Sequence, residues 1–274
     1  MRYLMMALAL SVSATSIAAQ EEVNKTPNVQ DIVEKANLAA YYQGDDGKSR
    51  VSMVIANEQG QERNREFNIL RKDIADGGDQ NYYVYFMRPA DVRGMVYMVH
   101  KHAGMDTDDD RWLYMPALDL VKRIAASDKR TSFAGSDFLY EDVSGRSLDA
   151  DTHELSDETD GVYIVKNIPE RPESVEFSYY NVHISKENWL PVKMEFYDKH
   201  GKVYRTIESV TVKNIEAEKD GETVVYPTVV KSVVKDLNRK STTTMEFSDI
   251  EYNIGLGDLF SERYLRRPPR EARR

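Results

Sequence analysis

Between Tyr82 and Met115 the chain carries strands that are apolar on both sides. Tyr82, Val84 and Phe86 alternate with Tyr83, Tyr85 and Met87, and Met95, Tyr97 and Val99 alternate with Val96 and Met98. Trp112 and Tyr114 alternate in the same way with Leu113 and Met115. Successive side chains of a strand point to opposite faces, so a sheet of these runs has two greasy faces and needs a cover on each. One stretch, Pro27 to Tyr42, reads as a helix able to serve: Val29, Ile32, Val33, Ala36 and Ala40 recur at helical spacing and Gly44 follows. Two arrangements satisfy the pattern. In one, the sheet is packed solid under the helix and the long loops. In the other, one face lines a cavity for an apolar ligand, a use to which Tyr and Met are suited.

Elsewhere the period is also two. Val51, Met53 and Ile55 lead to a turn at Gly60 and a returning strand over Glu62–Arg71. After Asp142, strands are expected near 152–155, 161–165, 176–185, 190–197, 203–212, 223–235 and 242–253, separated by turns such as Asp198-Lys199-His200-Gly201. The late strands alternate cleanly, with Val192, Met194 and Phe196 opposite Lys193 and Glu195. Between the strands no helix is long enough for a crossover, so the pattern predicts an antiparallel meander. A last helical turn is expected within Leu256–Tyr264.

Residues 1–20 read as a secretory signal peptide: Arg2, an apolar run, then Ser16-Ile17-Ala18-Ala19-Gln20. Export follows as an expectation, with 21–265 as one domain. The nine residues Arg266 to Arg274 are basic and are expected to be a disordered tail, or a dock for anionic headgroups or an acidic partner. The formal charge of −9 makes nucleic acid a poor partner, and the lack of cysteine excludes disulfides and thiolate chemistry.

No motif commits the chain to catalysis. Asp106, Asp108, Asp109 and Asp110 suggest a calcium loop, but the glycine and glutamate positions of an EF-hand fall on Arg111 and Ala117. His100 and His102 have no third ligand nearby in sequence, so no metal site is expected. Gly135-Ser136-Asp137 is not a nucleophile elbow. Asp137 and Asp142 fit helix-end capping better than an acid/base pair. Arg111, Lys122, Arg123, Lys129 and Arg130 flank the aromatic loop, either as a solvated edge or as a collar for an anionic headgroup.

Phe86-Met87-Arg88-Pro89-Ala90-Asp91-Val92-Arg93-Gly94, Trp112-Leu113-Tyr114-Met115-Pro116-Ala117-Leu118, Arg123-Ile124-Ala125 and Phe133 through Asp142 resemble the outer-membrane lipoprotein-sorting, LolA-like family of exported bacterial proteins. The resemblance implies a mainly β fold: one curved antiparallel half-barrel with a few helices on its concave side. It implies a periplasmic carrier of lipid or lipoprotein acyl chains, working beside an inner-membrane exporter of the resistance-nodulation-division type. It supplies no catalytic residues and no cofactor. The residues expected to line the lipid cavity are Tyr97, Trp112, Tyr114, Phe133, Phe138 and Tyr140, with Arg111 and Arg123 at the headgroup. The helix and the Ser127–Asp142 loop are expected to be the cover that acyl chains displace. The alternative is a non-carrier adaptor or sensor that binds an exporter or regulator.

Overall fold

A computed structural model describes residues 27–75 and 77–274; the expected signal peptide and the polar stretch after it lie outside them. The first element, α1 (Val29–Tyr41), starts where the Asn28 side chain accepts the Asp31 N–H at 2.9 Å. Thirteen strands follow. In the first half they are β1 (Asp46–Ala56), β2 (Glu62–Asp73), β3 (Gln80–Arg88), β4 (Val96–Lys101), β5 (Asp110–Met115) and β6 (Leu120–Arg123). A short helix α2 (Tyr140–Ser144) separates these from β7 (Asp151–Glu158), β8 (Val162–Pro169), β9 (Tyr179–Ser185), β10 (Pro191–Tyr197), β11 (Val203–Lys219), β12 (Glu222–Asp236) and β13 (Ser241–Tyr252). Two helical turns, α3 (Arg263–Arg266) and α4 (Arg270–Arg273), end the chain.

All strands belong to one antiparallel sheet ordered β6-β5-β4-β3-β2-β1-β13-β12-β11-β10-β9-β8-β7. Two meanders therefore meet at the β1–β13 pair, where Val51 faces Phe247 and Met53 faces Met245. The outermost strands β6 and β7 are neighbours in sequence but do not pair, so the curved sheet stays an open half-barrel. The segment between them, residues 124–150, folds over the inner face. The expected meander is present; the four-residue β6 is too short to show a period and was not expected.

The two greasy faces of β2–β5 have different covers. On the inner face Phe67, Val84, Phe86, Tyr97 and Val99 pack with Phe133, Phe138 and Tyr140 of the aromatic loop. Further along the same face, Ile32, Val33 and Ala36 of α1 lie on Val165, Val182, Ile184 and Phe196. The outer face, made of Leu70, Tyr83, Val96, Met98 and Trp112, is covered by Leu256, Phe260, Leu265 and Ala272.

That second cover corrects the expectation of a disordered tail. Residues 266–274 are docked: Ala272 is fully buried, and Asn68 Nδ2 donates to the carbonyls of Ala272 at 2.9 Å and Arg274 at 2.7 Å. Upstream, the Asp46 carboxylate accepts the Ile254 and Leu256 N–H groups and turns the chain from β13 onto the outer face. The cause is the two-sided pattern itself. Five large side chains of β2–β5 would otherwise face water, and the arginines of the segment stay outward while its few apolar residues supply the cover.

Candidate ligand cavity

A cavity of about 400 Å³ lies between α1 and the inner face of the sheet. Val33, Ala36 and Ala40 of α1 form one wall, and Ile69, Met194, Ile207, Met245 and Phe247 from the strands form the floor. These strand residues are the inward set of a period-two pattern, so the same alternation that builds the sheet makes the floor greasy. Phe133 and Phe138 of the aromatic loop close one end.

The lining also takes in a buried ionic network. Arg130 binds Glu141 and, at 2.7 and 2.6 Å, the two oxygens of Glu176. Arg146 reaches Glu141 at 3.2 Å and Asp151 at 2.8 Å, and the Tyr180 hydroxyl donates to Asp151 at 2.8 Å. Burial pushes the Glu141 carboxyl upward, but Arg130, Arg146 and Lys129 outweigh burial and hold it below its ordinary value. Asp142 accepts from Arg205 and caps the Leu139 N–H at 2.7 Å. Asp137 accepts from Arg239 at 2.8 Å, Ser241 at 2.6 Å and Thr243 at 2.8 Å. Both aspartates are thus engaged in holding the loop on the sheet.

The two expected covers differ in how they are held. The loop is fastened by these charged contacts. Along its length α1 rests on apolar side chains, and it is tied mainly where it ends. There Arg71 donates to the Tyr41 and Gln43 carbonyls at 2.8 and 2.5 Å, and the Tyr42 hydroxyl donates to Gly78 O at 2.6 Å. Beyond this, Gly44 has φ +67°, and a Cβ there would meet Asn253 Oδ1 at 2.9 Å. Amide exchange of α1 is therefore expected to be faster than that of β1 and β2, measured by hydrogen–deuterium exchange with mass spectrometry. Equal protection of α1 and the central strands would mean that the helix does not move.

Of the six residues expected at the cavity, Phe133 and Phe138 line it. Tyr97 and Tyr140 stand behind Phe133, with ring centroids 5.7 and 5.6 Å from it. Trp112 and Tyr114 lie on the opposite face. Their register opposite Met98 and Val96 puts them under the C-terminal segment, while Leu113, paired with Tyr97, points inward. Of the expected headgroup arginines, Arg111 is buried against Asp109, while Arg123 is exposed, paired with Asp110 and 5.2 Å over the Trp112 ring. Neither lines the cavity; Arg130, from the same basic group, does. His100 and His102 are held apart, by Phe260 O at 2.6 Å and Asp79 at 2.9 Å. The lining residues not anticipated come from α1, from β1–β3 and from β7–β13. Their signal was present: the one-sided apolar alternation of Met194 and Phe196 has to face something.

The chain resembles several solved structures. One is a DUF1329 family protein from Desulfovibrio piger, 28% identical, covering 88% of this chain and 100% of that one, with a TM-score of 0.75. A second is described as an outer membrane lipoprotein-sorting protein domain from Vibrio parahaemolyticus, 25% identical over 86% of this chain and 97% of that one, TM-score 0.74. A LolA superfamily protein from Nitrosomonas europaea shares the fold at 20% identity, covering 87% of this chain and 100% of that one, TM-score 0.63. None of the curated protein sequences matches. A family model described as "Uncharacterized protein" matches residues 78–267, from the start of β3 through α3. The chain belongs to that family, and its open half-barrel is LolA-like.

Proposed function

We propose that this protein is a periplasmic carrier that takes up acyl chains of lipids or lipoproteins in the cavity under α1 and hands them to a membrane partner, such as a resistance-nodulation-division exporter. The observation that carries this reading is the apolar cavity of about 400 Å³ beneath a helix held mostly by apolar contacts. Its size falls in the roughly 300–1,000 Å³ range of small-molecule sites. The likeness to a lipoprotein-sorting domain supports the same reading and the periplasmic location.

Burial supplies the energy. Each CH₂ removed from water contributes about 0.8 kcal/mol, so ten of them contribute roughly 8 kcal/mol before the costs of ordering ligand and helix. That corresponds at best to about micromolar affinity, strong enough to load and weak enough to release. Release needs only a partner with a greasier site, and no nucleotide enters the step.

Native mass spectrometry of protein taken from the periplasm tests the proposal, with a fluorescent fatty acid as probe. The expected result is co-purified lipid and saturable probe binding. Ala36→Trp places an indole in the cavity and is expected to weaken the probe at least tenfold while the fold persists. A protein that is always empty and indifferent to the probe would leave the adaptor reading standing instead.

A further inference from the structure

Away from the cavity, at the end of the sheet where β2 and β3 start and finish, lies a cleft of about 270 Å³ lined by Arg65, Glu66, Arg88, Pro89 and Arg93. Arg65 is 9% exposed, and its Nε is buried without a hydrogen-bond partner. Its other contacts are meagre: Nη1 donates to the neighbouring Asn64 carbonyl at 3.0 Å, and Nη2 lies 3.5 Å from the carboxylate of Asp91, which is 64% exposed. A buried guanidinium with an unpaired N–H is costly, because it has lost water without gaining an acceptor. The other two arginines have donors to spare. Arg88 is 71% exposed and reaches Glu66 at 3.6 Å, and Arg93 donates through Nε to Met87 O at 3.3 Å.

We propose that this cleft binds a small oxyanion, a phosphate or carboxylate group, with Arg65 as its buried anchor and Arg88 and Arg93 as its outer arms. Guanidinium forks match the planar oxygen pairs of such groups and bind them through two parallel hydrogen bonds. An oxyanion here supplies the acceptor that Arg65 Nε lacks. Glu66 in the cleft and Asp91 beside Arg65 are the nearby carboxylates, and both are exposed enough to swing aside when an anion enters. The site is separate from the cavity and stands whether or not acyl chains bind there.

The test uses the full chain, inorganic phosphate and thermal melting, with chloride as the control at equal ionic strength. Phosphate is expected to raise the melting temperature saturably, by about 3 °C at ten times its dissociation constant. R88Q/R93Q, changed at the outer arms alone, is expected to fold normally and lose that rise. R65M is expected to lose the response as well and to melt higher than the wild type without phosphate, because an unpaired buried charge has gone. A rise of equal size in R88Q/R93Q, or no rise beyond that of chloride in the wild type, overturns the proposal. Vesicles separate the sources of the anion. Pelleting with phosphatidylglycerol but not phosphatidylcholine vesicles, lost in R88Q/R93Q, assigns a lipid headgroup. A phosphate response with no vesicle binding assigns a free anion.

Discussion

Removing residues 254–274 is expected to leave a chain that does not fold. The segment looks dispensable: it holds two helical turns of four residues each, α3 and α4, and many arginines. Yet it is the cover for Leu70, Tyr83, Val96, Met98 and Trp112, all nearly inaccessible to water. Exposing each costs about 1.5–3 kcal/mol, so the five together cost roughly 7–15 kcal/mol. Whole domains have about 5–15 kcal/mol in reserve. The Tyr83 hydroxyl also loses its 2.7 Å bond to Tyr264 O, and Asn68 loses both acceptors. Circular dichroism and gel filtration of the truncated protein are expected to show loss of the cooperative melt and aggregation. Leu265→Ala is the milder version, expected to cost about 2–5 kcal/mol and to lower the melting temperature by roughly 10 °C. A truncated chain that stays monomeric and melts like the parent would show that the outer face tolerates water.

Glu141→Gln is expected to give the second-largest loss. The Glu141 side chain is 5% exposed and lies between Arg130 and Arg146, which are 8% and 13% exposed. Neutralising it leaves two guanidiniums short of countercharge, a change that costs about 3–5 kcal/mol in buried pairs. For a domain of this size that is roughly 10 °C in melting temperature. The pH dependence carries the same information. The folded-state pKa of Glu141 is depressed below its ordinary value of 4.5, so its contribution is complete above that pH and is lost as pH falls through the depressed folded value. Other carboxylates are depressed too, Glu176 by Arg130 against its own burial and Asp79 chiefly by the Ala103 N–H, so the wild type loses stability in acid for several reasons. The difference between wild type and variant isolates Glu141: it is expected to be large at pH 7 and to shrink below about pH 4.5. Identical acid profiles would remove Glu141 from the set of groups that hold the loop.

Much of the fold was legible because its signals are periodic. The helix at Val29–Tyr41 and nearly every strand announce themselves by spacing alone, and the demand for two covers over β3–β5 follows from the same count. What supplies the second cover was not legible. Leu256, Phe260, Leu265 and Ala272 have no regular period and are interrupted by glycine, proline and arginine, so 256–264 reads as no more than a last helical turn and 266–274 as a tail. The cavity was half legible. The sequence shows that Trp112–Met115 is apolar on both sides, but which side faces inward depends on register, and a shift of one residue exchanges the two sets. Register was fixed here by the pairing of Met98 with Trp112, a contact no local pattern reveals. Arg111 reads as a solvated or headgroup-binding charge, because nothing local shows that its strand position, opposite Val99, buries it against Asp109 two residues away.

The seam at the middle of the sheet has a kinetic consequence. Gly47 pairs with Tyr252 and Val51 with Phe247, so the two most central strands come from opposite ends of the chain. Each meander can zip up from neighbouring hairpins, but joining them requires closing a loop of almost the whole polypeptide, which is slow. Until β13 exists, β1 stands as an unpaired edge with its apolar side open. The chain is therefore at its stickiest in the interval before β13 docks, and helpers that hold unfolded chains apart should affect its yield more than its final stability.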